Sequence, residues 1–187
     1  MHRDYQQMFL RAGKDVLRLV ILRKPAVIMG QDISLAGLVR SKLFTEDIAL
    51  VVDYRPCEDR NYEYACAALD SGGHTRVLME PAVYLDFIRG KPYARTTVLH
   101  ELGHIYHNDL PEIHGGNAEY DSERLAAIEN GTVHEREVRA DAFASRFLGP
   151  TVVCEGLTVL RRNDVAEDKE ANAPSITELA RRIQLLS

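Results

Sequence analysis

Residues 100–104 read His-Glu-Leu-Gly-His, and few patterns this short constrain a fold as much. On an α-helix, His100 and His104 sit about 40° apart around the axis and about 6 Å apart along it, so both imidazoles reach one ion. Glu101 lies about 100° round from His100, poorly placed as a further ligand and well placed to touch a water on the ion. The flanking residues agree with a helix. Val98, Leu99, Leu102, Ile105 and Tyr106 form an apolar stripe from Ala94 to Asn108, and Pro111 follows. Gly103 in mid-helix costs about 1 kcal/mol against alanine, which points to close approach of another backbone.

Two imidazoles do not complete a centre. Zinc accepts imidazole nitrogen, favours four ligands, and in catalytic sites keeps one position open beside three protein ligands. With Glu101 as general base, this is the arrangement of a zinc peptidase. The extended pattern ending His-x-x-Gly-x-x-His is absent, because positions 107 and 110 are His107 and Leu110. A second helical stretch offers a better source. Residues 137–144 read Glu-Val-Arg-Ala-Asp-Ala-Phe-Ala, which puts Glu137 and Asp141 on one face. One carboxylate can bind the ion while the other accepts the spare N–H of a ligand histidine and fixes its tautomer. A solvated acidic face paired with Arg136 or Arg139 is the plainer alternative.

Composition narrows the class. The 187 residues suit one domain, with 45% hydrophobic and 27% charged residues. A net charge of -5 argues against a broad nucleic-acid surface. The longest apolar run, Val16 to Leu22, is broken by Arg18 and falls far short of a membrane span. The opening MHRDYQQMF lacks the apolar stretch of a signal peptide, and three scattered cysteines form no CxxC pair. Cys57 and Cys66 read as small buried side chains. Together these features suggest a cytoplasmic protein.

Along the chain, the spacing of Met8, Phe9, Ala12, Val16, Leu19, Val20 and Leu22 predicts an N-terminal helix ended by Pro25. A shorter helix is expected over Ile33 to Leu43. Strands are expected at Ile48 to Tyr54, Tyr62 to Leu69 and Thr75 to Met79, the last offering an edge to an extended substrate. Helices follow at about Glu119 to Glu129, His134 to Leu148 and Val152 to Arg161. Ser175-Ile176-Thr177-Glu178 fits a capping box for a last helix to Leu186. The expected fold is α+β, a small, mainly antiparallel three-stranded sheet packed with helices, one of them a zincin-like active-site helix. The Arg161-Arg162 and Arg181-Arg182 pairs read as solvated helix ends.

HELGH together with ExxADxFA and a helix-ending proline resembles the ImmA/IrrE family of metallopeptidases, over about residues 74–150. Asp141 stands where that family usually has Asn. The expected organisation is one metallopeptidase domain over 1–187, with a core of about 45–150 and additions, an N-terminal helix at 5–24 and C-terminal helices at 151–186, that the resemblance does not reach. The resemblance implies His100, His104 and Glu137 as Zn2+ ligands and Glu101 as catalytic base, leaving Asp141 as a histidine's partner. It also implies a protein substrate, such as a helix-turn-helix repressor, cut at one site. An oxyanion donor is still required. His114, beside Gly115-Gly116, is the favoured candidate, ahead of Tyr106, His107, Tyr120 and His134. A different class is a regulatory binding protein whose zinc is structural. A metal amidase acting on small molecules or formyl peptides ranks third.

Overall fold

A two-residue hairpin opens the fold. In the computed structural model, which describes residues 7–28, 31–56, 59–60, 62–69, 72–110, 118–166 and 173–187, Gly13 has φ 60° between paired Ala12 and Asp15. Glycine at the first position of such a loop is the type II′ signature. It joins β1 (Gln7–Ala12) to β2 (Asp15–Ile28), where a helix was expected. The helical spacing is overridden by a period of two, because Leu17, Leu19 and Ile21 alternate into the core. The helix expected over Ile33 to Leu43 is likewise absent. Residues 33–40 of that stretch belong to β3 (Gln31–Arg40), which pairs with both β2 and β4 (Ile48–Asp53).

β5 (Ala65–Leu69) and β6 (Thr75–Met79) complete a mixed six-stranded sheet of order β1-β2-β3-β4-β6-β5. This corrects the expected small three-stranded sheet. β4 and β6 run parallel and the other neighbours antiparallel. Thr75 to Met79 is therefore an inner strand, and β5, which packs against α2, is an edge strand. β4 is almost wholly enclosed, with Ile48, Leu50, Val51 and Val52 at most 1% exposed.

Among the described residues six helices follow: α1 (Pro81–Ile88), α2 (Pro92–Tyr106), α3 (Ala118–Glu129), α4 (Glu135–Leu148), α5 (Pro150–Ala166) and α6 (Ala173–Leu186). Sequence spacing did not mark α1. Pro81 and Pro92 each stand in the first turn of a helix, where a missing N–H costs nothing. α2 is the central helix, and its buried face runs from Ala94 to Gly103. Val153, Leu157, Leu160 and Leu179 of α5 and α6 share its core with Val98, Leu99 and Leu102. Among the described residues, no helix is long and apolar enough to cross a membrane.

Candidate metal centre

Gly103 lets α2 lie directly on α4. A Cβ there would sit 2.8 Å from Ala140 Cα and 3.0 Å from Ala140 O, so no larger residue fits without moving backbone. That approach brings Glu137 of α4 under both histidines of α2. The Nε2 atoms of His100 and His104 are 3.1 Å apart. Glu137 Oε2 is 3.2 Å from His100 Nε2, and Oε1 is 3.5 Å from His104 Nε2. Two ligands on one tetrahedral ion, each about 2.0–2.1 Å from it, lie about 3.3 Å apart. The three side chains thus already stand at ligand spacing, and the group can hold a metal ion.

Each histidine has an aspartate behind it. His100 Nδ1 is 2.8 Å from Asp141 Oδ1, which turns Nε2 towards the shared point. His104 Nδ1 faces Asp109 Oδ2 at 3.8 Å. Asp109 is placed by the way α2 ends. Asn108 takes the left-handed conformation at φ 57°, its N–H bonds to Ile105 O at 3.1 Å, and Asp109 N–H reaches back to His104 O at 2.8 Å. These are the two bonds of a Schellman stop, and they fold Asp109 back towards the ring of His104. A β-branched residue strains that conformation, so Asn108→Val is expected to cost about 1–2 kcal/mol, read as a lower midpoint in thermal melts.

Both aspartates are in turn gripped by arginines. Arg139 Nη2 donates to Asp109 Oδ1 at 2.7 Å. Arg182 of α6 donates from Nε to Asp141 Oδ2 and from Nη2 to Asp141 Oδ1, both at 2.7 Å. Its Nη1 donates to Glu137 Oε2 at 3.0 Å. Arg182 is only 7% exposed, so its reading as a solvated helix end is corrected. Arg181 is also engaged, capping the end of α3 through Ile128 O at 2.6 Å. Ser175 lies inside α6, which begins at Ala173, and bonds Asp164 instead of forming the expected capping box.

The charges in this cluster are interlocked. Burial pushes the Glu137 carboxyl up, but His100 and Arg182 hold it well below the usual carboxylate range. Burial likewise opposes ionisation of Asp141, and Arg182 outweighs it, bringing the group to about 2. Burial and Arg182 push the His100 imidazolium down, yet Glu137 and Asp141 prevail and raise it to about 9. A metal ion competes with that proton for the ring. Uptake of a divalent metal ion at neutral pH is therefore expected to release a proton from His100 and to tighten as pH rises towards 9, then level off. Calorimetry in buffers of different ionisation enthalpy reads this directly.

The remaining sequence candidates divide clearly. Glu101 faces the sheet edge, where its Oε2 accepts the Ala67 N–H of β5 at 2.8 Å. His114 and Cys57 lie outside the described residues, as does the side chain of Tyr120. Tyr106 packs on Phe143 with ring centroids 5.1 Å apart. His134 caps α4 by accepting the Arg136 N–H at 3.3 Å. Cys66 lies on β5 and is not one of the clustered ligands. Asp109 and Arg182 were missed by sequence reasoning. Asn108 after the helix was a usable signal for the first, and a polar residue among Leu179, Ile183 and Leu186 a weak one for the second. Comparison with protein-family models, curated proteins and solved structures gave no match.

Proposed function

We propose that this chain is a zinc-dependent endopeptidase acting on a specific protein, a helix-turn-helix repressor or similar regulator in the cytoplasm. One observation carries the reading: two imidazoles and a carboxylate stand at ligand spacing, with Glu101 next to His100 and turned to the edge strand β5. Donors of two nitrogens and one oxygen suit zinc and leave a fourth position for water. Bound there, zinc would polarise the scissile carbonyl and acidify its water. Glu101 would take the proton of the attacking water and pass it to the leaving amine nitrogen. A substrate segment adding to β5 as a strand competes for the Ala67 N–H and so frees the Glu101 oxygen. The likeness of HELGH and ExxADxFA to ImmA/IrrE peptidases supports the same class and the choice of a regulatory substrate.

A second reading has its own support. A Glu101 oxygen committed to Ala67 N–H is partly spent as a base, which suits a metal-stabilised protein that acts by partner contact. One experiment separates them. Purified protein is analysed for metal and incubated with a proteome-derived peptide library, and new termini are found by mass spectrometry. The peptidase reading expects about one zinc per chain and cleavage that stops with a chelator and returns with zinc. Bound zinc without new termini supports the binding protein.

A further inference from the structure

One side chain that touches three members of this cluster is not itself among the candidate ligands. Arg182 touches Asp141, Glu137 and the ring of His100, three groups from two other helices. Its planar fork takes both oxygens of Asp141 and one of Glu137, a geometry that the single ammonium of lysine cannot match. Asp141 in turn must keep its oxygen on His100 Nδ1 for that ring to present Nε2. The guanidinium also holds Glu137 by Oε2, which limits that carboxylate's freedom to rotate. α6 is also fixed one turn earlier on the same face. Glu178, fully buried one turn before Arg182, is held by Arg124 of α3, whose Nε donates to its two oxygens at 2.9 and 3.1 Å.

We propose that Arg182 is the positioning residue of the metal centre: brought in by α6, which supplies no ligand, it holds Glu137 and Asp141 in the places that metal binding needs. The proposal rests on the metal-site reading above. Loss of a partner of this kind typically weakens metal affinity about 10–100-fold.

The test is zinc affinity of the full chain, measured by competition with a chromophoric chelator, for wild type, Arg182→Met and Arg182→Lys. Visible spectra of the Co2+-loaded proteins report the ligand geometry. The expected result is an affinity about 10–100-fold weaker for Arg182→Met, partial recovery in Arg182→Lys, and altered cobalt bands in both. A residue that only braced the fold would lower the melting temperature and leave the affinity and bands of the folded protein unchanged, and that outcome overturns the role. Should Arg182→Met fail to fold, Arg182→Lys, which keeps the charge and the buried stem, decides in the same way. Wild type that takes up neither ion overturns the metal reading and the role with it. Wild type that binds tightly beside variants that bind equally well overturns the role alone.

Discussion

Glu101→Gln is expected to lower peptide hydrolysis by about 10²–10⁴-fold while zinc stays bound. The substitution is nearly isosteric. Glutamine keeps an oxygen that can accept the Ala67 N–H now held at 2.8 Å, so β5 and α2 keep their contact. Glu101 is not among the three clustered ligands, so the donor set is untouched. What disappears is the capacity to take a proton at neutral pH. Metal analysis and kinetics on one preparation give both halves of the result. Unchanged hydrolysis would remove Glu101 from the mechanism, and lost zinc would make it a structural support of the centre.

Gly103→Ala is expected to damage both stability and metal binding, against what helix preference alone dictates. In an exposed helix the change would stabilise by about 1 kcal/mol. Here the new methyl group would lie 2.8 Å from Ala140 Cα and 3.1 Å from Phe143 Cβ. Backbone cannot swing aside as a side-chain tip can, so α2 and α4 must part. Overpacking of this sort costs about 1–3 kcal/mol, which outweighs the helical gain. The parting also separates His100 and His104 from Glu137, since the ligands belong to the two helices that move. A thermal melt and a zinc titration on the same variant should both worsen. A variant as stable as wild type would show that the interface can yield.

The centre was more legible than the sheet. His100, His104 and Glu137 come from two helices whose apolar faces repeat plainly, and a metal limits the residue types that can serve. Gly103 was informative for the same reason, since a costly residue in a regular helix needs a cause. The N-terminal strands were hidden by coincidence: Met8, Phe9, Ala12, Val16, Leu19 and Val20 satisfy helical spacing, while the deciding cue was the single Gly13 turn. Arg182 was illegible for a different reason. Two arginines near a helix end look alike in sequence, and only the docking of α6 shows that Arg181 caps α3 while Arg182 is enclosed. Asp109 depends on a helix stop whose geometry is local, yet its partner His104 becomes apparent only once the turn is built.

His100 and Arg182 are 82 positions apart. During synthesis the two imidazoles emerge from the ribosome first, then the carboxylates of α4, and the guanidinium last. A nascent chain can thus gather every ligand before it owns the group that steadies them. On this view firm capture of the ion waits until α6 has been made and has docked, later than the gathering of the ligands themselves.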